Sequence, residues 1–321
     1  MSEFRDRLRR LDALEGRISS VIIFNGGADP NFFYFTNTTA AGVFYYDFTK
    51  PRIFTSEMEY RRAKKGWVKS VQIGSAKDVL KKLSGTVGID RKNIPARTLS
   101  AIKAKKSDIS PFLEAMRAVK SGYEKACIRK SCRLASEIYE KASSEASGKM
   151  TELELKGLIE FLMHKKGATP AFPTIVAAGS NVVFPHHEST TRKISRPLLI
   201  DMGVRYKGYC SDITRTTGSR FEGIIEKVFD AVEAELKPGV AAAELDKKAR
   251  AALGRYSKYF LHSLGHGIGI EVHESPRISS KSNDVLVPGI VFAIEPGLYL
   301  RGGIRHEEDY LLGESGAVKL T

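Results

Sequence analysis

The sequence predicts an α/β (α+β) protein in two parts: a small N-terminal mixed α/β domain over residues 1–110, then a larger domain over residues 111–321. Three observations carry this. Apolar strand-like runs alternate with short amphipathic helical stretches through the first part. In the second part, two helical stretches followed by strands occur twice over. Each repeat ends in a hairpin pattern, and each hairpin holds a pair of acids, Asp201 with Asp212 and Glu295 with Glu307.

Residues 4–16 read as a charged amphipathic helix and residues 20–25 as a short apolar strand. Residues 32–36 open a segment that ends in a turn, and residues 41–47 and 52–55 are further strands. A helix over 57–65, an extended stretch over 68–73, a helix over 76–83 and a buried strand over 86–90 precede a break at Pro95. The domain boundary falls at 107–111. A long helix over 122–144 is closed by the Ser/Gly-rich run 143–148. Thr151 with Glu154 three residues on is a capping box, and Leu155, Leu158, Ile159 and Leu162 share one face of the helix it opens. Gly167 ends that helix. Strands over 174–178, 198–204 and 210–217 follow, then helices over 221–236 and 241–253 separated by Lys237-Pro238-Gly239. A loop rich in glycine and histidine leads to strands over 291–295 and 303–312.

The composition of these 321 residues, 42% hydrophobic and 27% charged, is that of an ordinary globular protein. No run of 18 apolar residues predicts a membrane span. Residues 1–10 are charged and lack the apolar core of a secretory signal. Three cysteines, Cys127, Cys132 and Cys210, with no CxxC spacing, argue against a disulfide framework and suit a reducing cytoplasm. The net charge of +14 keeps nucleic-acid binding as a lesser alternative. The basic residues are dispersed, however, and no zinc-finger, RNA-motif or basic-zipper pattern accompanies them.

The acid pairs carry the chemistry. Facing residues of an antiparallel pair stand about 4.5–5.5 Å apart and share a face. Asp201 and Asp212 lie symmetrically about the Tyr206-Lys207 step, and Glu295 and Glu307 about Arg301, in a turn holding Gly302 and Gly303. Asp201 interrupts the apolar run Leu198-Leu199-Ile200, and Glu295 interrupts Val291-Phe292-Ala293-Ile294. A carboxylate at the end of a core strand needs a partner or a metal. Salt bridges to Arg205, Arg215 or Arg305 are the ordinary alternative, but matched positions for all four acids favour metal. His262, His266 and His273 crowd into twelve residues among glycines. Oxygen donors with one nitrogen and no thiolate suit manganese, cobalt or iron, with zinc as a further candidate. The expectation is two divalent ions and hydrolysis by metal-activated water.

The stretches LLIDMG, YCSDITRT, HSLGHGIGIEVHESP, FAIEPGLY and GGIRHEED resemble the proline-specific metallopeptidases of the pita-bread fold (peptidase family M24B), the group that holds prolidase, or Xaa-Pro dipeptidase, and aminopeptidase P. The similarity runs over residues 112–312 and extends more weakly into the first domain, where DPNFFYFTN is similar to the family's segment. The resemblance implies a pseudo-two-fold pita-bread domain binding two divalent metal ions per subunit, manganese or cobalt first and iron or zinc after them. It implies Asp201 on one ion, Asp212 and Glu307 bridging both, and His266 and Glu295 completing the other. Glu295 would carry the proton around the attacking water, and His186 and His273 would hold the substrate and stabilise the tetrahedral intermediate. His262 and Arg305 would shape the pocket for the proline ring and its carboxylate, and Tyr299 would orient a ligand carboxylate. The substrate implied is a small peptide with proline second, and the family's dimer contacts imply a homodimer. The short chain and first domain favour the prolidase type over aminopeptidase P. Methionine aminopeptidases share the ligand set but usually lack such a first domain, and creatinase-like hydrolases generally lack the ligands. Members that lost catalysis bind nucleic acid or histones, a role the intact ligand set argues against here as sole function. Two positions depart from the family pattern. His306 stands where an aliphatic residue is commoner, and Ser189 follows PHHE where proline is common.

Overall fold

The computed structural model describes residues 2–321; Met1, at the head of the expected N-terminal domain, lies outside the described residues. The chain divides into two compact units, Met1–Met116 and Arg117–Thr321.

In the first unit α1 (Ser2–Leu11) precedes β1 (Ser20–Asn25), α2 (Pro30–Thr36), β2 (Gly42–Tyr46), β3 (Arg52–Thr55) and α3 (Glu57–Ala63). Then come β4 (Val71–Ile73), α4 (Ala76–Leu80), β5 (Thr86–Ile89), α5 (Ala96–Ala101), β6 (Lys105–Asp108) and α6 (Ser110–Ala118). The strands form one mixed sheet in the order β4-β3-β2-β1-β5-β6. Consecutive hairpins pair β1, β2 and β3 antiparallel, while β4, β5 and β6 join in parallel. Apolar side chains of both faces are buried, among them Ile22, Phe44, Ile53 and Ile89.

The helix α5, just beyond the break at Pro95, has no counterpart in the sequence expectation, and two further segments of this unit differ from it. Residues 30–36 are helical: the Asp29 carboxylate accepts the Phe32 N–H at 2.6 Å, Pro30 stands in the first turn, and Asn37 at φ 52° stops the helix. Its aromatic run, Phe32 to Phe35, is buried almost all round, so no polar stripe marks it as a helix. Residues 105–108 form the edge strand β6, whose Lys-Lys-Ser-Asp composition hides the strand period.

The second unit is a duplicated layer structure. Its first half contains α7 (Gly122–Glu145), α8 (Glu152–Lys165), β7 (Thr169–Pro170), β8 (Ile175–Ala178), β9 (Leu198–Met202), β10 (Val204–Tyr206), β11 (Tyr209–Cys210) and β12 (Ile213–Thr217). Its second half contains α9 (Glu222–Glu233), α10 (Ala242–Leu253), β13 (Gly265–Gly267), β14 (Glu274–Ile278), β15 (Val291–Ile294), β16 (Gly297–Leu298), β17 (Ile304–Arg305), β18 (Glu308–Leu312) and β19 (Ala317–Lys319). The strand trio β8-β9-β12 in one half corresponds to β13-β15-β18 in the other, both antiparallel.

Each trio is covered by its own helix pair. Ile138, Leu155, Ile159 and Met163 pack on Val176, Leu198, Ile200 and Ile213, whereas Val228, Val232, Leu245 and Ala249 pack on Phe292, Ile294 and Tyr310. Burying each such large side chain contributes about 1.5–3 kcal/mol. The expected capping box of α8 is formed: Glu154 N–H donates to Thr151 Oγ1 at 3.1 Å, and Thr151 N–H to Glu154 Oε2 at 2.6 Å. With the helices committed to one face of each trio, the opposite faces are left to build a site.

Candidate metal centre

The first hairpin turns through Lys207 (φ 49°) and Gly208 (φ 86°), with Tyr206 paired to Tyr209. Two central residues at positive φ make this the tight turn whose twist matches the flanking strands. The turn lies one residue beyond the position expected from the sequence. Asp201 consequently faces Thr214, and Asp212 is not directly opposite it. Asp212 still shares the face of Asp201, because it lies two residues before Thr214 along the strand. In the second hairpin Ile294 pairs with Glu308 and Gly297 with Arg305, so one unchanged register sets Glu295 opposite Glu307.

The two hairpins meet through Thr214. Its carbonyl accepts the Glu307 N–H at 2.9 Å, and its hydroxyl donates to Glu307 Oε2 at 2.7 Å. His266 enters from β13, between β14 and β15. A Cβ on Gly265 would come within 2.0 Å of the Ala293 carbonyl oxygen, and one on Gly267 within 2.2 Å of that of Ser275. Glycine on both sides of His266 is therefore what lets the three strands close around it.

His266 Nε2 lies 3.6 Å from Glu295 Oε1, 3.8 Å from Asp212 Oδ2 and 4.0 Å from Glu307 Oε1. Its Nδ1 lies 3.2 Å from the Gly267 carbonyl, which fixes the proton there and leaves the Nε2 lone pair facing the acids. Three overlapping ligand groups result: Asp201, Asp212 and Glu307; His266, Glu295 and Glu307; and Asp212, His266 and His273. Asp201 Oδ1, Asp212 Oδ1 and Glu307 Oε1 are buried without a hydrogen-bond partner. Unpaired carboxylate oxygens gathered around an imidazole lone pair are costly unless a cation is shared among them, so this donor set fits divalent metal.

The electrostatics agree. Burial pushes Asp212 and Glu307 well above the usual carboxylate range, and their acidic neighbours push them further. Burial likewise lifts Glu295 to about 8 and drives His266 down to about 3. Without counter-charge the site resists ionisation, the reverse of what a cation imposes. Of the three arginines that could have neutralised the acids, Arg215 pairs with Glu308 and Arg205 donates to the Ile270 carbonyl. Arg305 alone reaches the cluster, at Asp201.

The acids open onto a cleft of about 1070 Å³ lined also by His186, His262, His273 and Arg305. The ring of His273 stands edge-on to that of His266, with centroids 4.2 Å apart. Tyr299 stands behind the wall, its hydroxyl 2.6 Å from His262 Nε2 and 2.8 Å from an Arg305 terminal nitrogen. His262 is pushed by burial to about 4 and is neutral, so Nδ1 donates to the Ser263 carbonyl while Nε2 accepts from Tyr299. Arg305 is buried. Besides Asp201 and Tyr299 it donates to the Pro185 carbonyl at 3.0 Å and to Thr214 Oγ1 at 3.2 Å.

Several contributors have no signature in the sequence. Arg277 and Lys156 line the cleft as further cations, and the Nε of Arg277 donates to Ser263 Oγ at 3.1 Å. Asp309 Oδ2 accepts the Asp212 N–H at 2.9 Å from behind and the Cys132 thiol at 3.3 Å. His306 pairs with Glu308 at 3.1 Å, and the Ser189 hydroxyl accepts the Val176 N–H at 3.0 Å. Cys127, Cys132 and Cys210 are free and buried, and no helix among the described residues is long and apolar enough to cross a membrane.

Comparison with known proteins places this geometry. The pattern of metallopeptidase family M24 matches residues 126–314, and that of the creatinase/prolidase N-terminal domain matches residues 5–119. The Xaa-Pro dipeptidase of Pyrococcus furiosus is 35% identical over 348 aligned positions, which cover 99% of this chain and 98% of that protein. Among solved structures, the prolidase from Pyrococcus furiosus superposes with a TM-score of 0.88 at 33% identity, covering 98% of each chain. The X-Pro aminopeptidase from Thermotoga maritima gives a TM-score of 0.88 at 31% identity, over 98% of this chain and 97% of that one.

Proposed function

The chain belongs to metallopeptidase family M24, and from that premise we propose that it hydrolyses the peptide bond preceding proline in Xaa-Pro dipeptides. Its C-terminal part is then the family's pita-bread domain, and residues 111–321 hold the catalytic machinery. The observation that carries the reading is the set of orphaned, buried acid oxygens around His266, opening onto a cleft walled by histidines and Arg277.

Two divalent ions per subunit, manganese or cobalt by the donor set, fit this site. Asp201, Asp212 and Glu307 would hold one ion, and His266, Glu295 and the shared Asp212 and Glu307 the other. When bound, such ions supply a lowered pKa for water and polarise the scissile carbonyl. The chain's own residues do the rest. Glu295 Oε2 takes and returns the proton, since this carboxylate lines the cleft and keeps some solvent contact. His186 and His273 bind the peptide, and His273, whose ring stands against that of His266, donates to the oxygen that gains charge. Arg305 aims Asp201, Tyr299 fixes Arg305 and His262, and His262 walls the proline ring.

A dipeptide also presents a free carboxylate next to the scissile bond. Arg305 is occupied by the protein, and of the two further cations of the cleft, Lys156 and Arg277, the guanidinium of Arg277 is the one shaped for a two-point contact with that carboxylate. This supports the dipeptidase reading over the aminopeptidase P reading, which the Thermotoga likeness keeps as the alternative. A homodimer in the cytoplasm completes the proposal.

The test compares Leu-Pro with Leu-Pro-Gly. The dipeptide should be the better substrate, and cleavage of the tripeptide alone would establish the alternative. Arg277→Met should lower kcat/KM for the dipeptide by roughly 10–150-fold, the worth of a charge-assisted hydrogen bond, and spare the tripeptide. Chelation should abolish turnover, and manganese or cobalt should restore it more fully than magnesium, because the imidazole ligand disfavours the hard ion.

A further inference from the structure

Glu152, the first residue of α8, is fully buried and lies outside the cleft lining. Its Oε1 accepts the Ala178 N–H and the Asn181 side-chain amide, each at 2.8 Å. Its Oε2 accepts the Thr190 N–H and the Thr190 hydroxyl and lies beside His187 Nε2, again each at 2.8 Å. One carboxylate thus ties the start of α8 to the end of β8 and to the segment 185–190.

That segment has no helix or strand of its own. It carries His186 and His187 along the cleft, and its Pro185 carbonyl accepts from Arg305. A loop outside regular structure holds one conformation only where side chains supply its fixed points. Burial pushes Glu152 up, but the bonds from His187, Asn181 and the two backbone amides outweigh it and keep the group below the usual carboxylate range. The fixed point is an ionised carboxylate with both oxygens saturated.

We propose that Glu152 is a positioning residue for substrate binding, which holds the segment 185–190 through His187 and Thr190 so that the His186 imidazole is presented to the peptide. The inference rests on the reading of His186 as a substrate contact. Substrate then meets a pre-formed wall and need not order it on binding.

The experiment is a double-mutant cycle in the metal-loaded enzyme with Leu-Pro as substrate. Glu152→Gln keeps the shape but turns a donor toward groups that themselves donate. It should raise KM roughly tenfold, with kcat changed far less and metal content unchanged. His186→Ala should raise KM comparably, and the double variant should be little worse than either, since both losses run through the same imidazole. Additive losses would overturn the inference, as would an unchanged KM in Glu152→Gln beside a raised one in His186→Ala; that outcome leaves the reading of His186 standing. An unchanged KM in His186→Ala removes that reading and the inference with it. Should Glu152→Gln fail to fold, His187 decides: His187→Ala must raise KM only where His186 is present, and His187→Gln, which keeps a donor, must restore it.

Discussion

Thr214 grips Glu307 twice, by its backbone carbonyl at 2.9 Å and by its hydroxyl at 2.7 Å, and so joins the two halves of the duplicated unit at the centre of the acid cluster. The hydroxyl has one proton, and Glu307 Oε2 takes it, while Arg305 Nε donates into the hydroxyl oxygen at 3.2 Å. One carboxylate oxygen is satisfied by the protein, and Oε1 is left for a metal.

Thr214→Val keeps the size and the backbone bond and removes the hydroxyl half of that grip. Metal affinity and activity should drop by roughly 10–100-fold, as for other groups that orient ligands. The fold should lose about 1–3 kcal/mol for the donor and acceptor left unpaired. Calorimetric metal titration beside thermal melting measures both. An unaltered metal affinity would show that Thr214 merely ties the strands.

Asp212→Asn and Glu307→Gln should abolish hydrolysis, because each residue belongs to two of the overlapping ligand groups. The metal-free variants should nevertheless melt no lower than metal-free wild type. Burial and mutual repulsion already disfavour the charged form of both groups, so a neutral amide relieves the folded state. What vanishes is the gain in melting temperature on adding metal. A metal-free Asp212→Asn that melts well below wild type would contradict the account.

Much of this centre was legible because acids at the ends of apolar strands break a rule that only a partner or metal excuses. Asp201 and Glu295 are of that kind. The second hairpin could be registered from its glycine turn, where a Cβ on Gly303 would come within 2.2 Å of the Leu298 carbonyl oxygen. The first was misplaced by one residue because Lys207 sits at positive φ, and a lysine announces no such conformation. Glu152, Arg277 and Asp309 stayed hidden for another reason. Their importance lies in partners far along the chain, such as Thr190 for Glu152 and Asp212 for Asp309, and no periodicity reports those.

Metal-free protein should lose stability as pH rises from about 6.5 to 8. Burial lifts Glu295 from 4.5 to about 8, so near neutrality the folded state keeps a proton that the unfolded chain has released. Stability from such a raised acid is complete below 4.5 and is lost as pH climbs through the folded value, by at most about 1.4 kcal/mol per pH unit. Asp212 and Glu307 act in the same sense, as does Asp309, which burial also lifts to about 8. His262 and His266, pushed down to about 4 and about 3, oppose this only below the ordinary imidazole value of 6.5. Melting curves with chelator and with manganese separate the cases: the chelated protein declines over that range and the loaded protein, in which only Asp309 keeps its raised value, declines much less. A chelated melting temperature that rises with pH would sink the assignment.

Glu274 supplies the opposite pH limb. Its Oε2 meets the wholly buried Lys120 ammonium at 3.1 Å, and its Oε1 accepts the N–H groups of Ile270 and Glu271 while facing Arg117 at 3.8 Å. Burial raises this carboxyl, but Lys120 and Arg117 outweigh burial and hold it below the usual range. Its stability is therefore present above the ordinary value of 4.5 and is lost as pH falls through the folded value. Glu274→Gln strands the Lys120 ammonium beside a neutral amide, which should cost about 3–5 kcal/mol at pH 7. Replacing both partners, as in Glu274→Met with Lys120→Met, should cost less, because no buried charge is left alone. Urea unfolding of wild type and Glu274→Gln at pH 7 and near pH 3 tests the charge argument. The gap between them should be widest at pH 7 and should narrow below 4.5, where the unfolded wild-type chain takes up a proton that the folded carboxyl resists. A gap that stays constant would mean that packing around the 268–274 loop, and not the ion pair, sets the cost of the substitution.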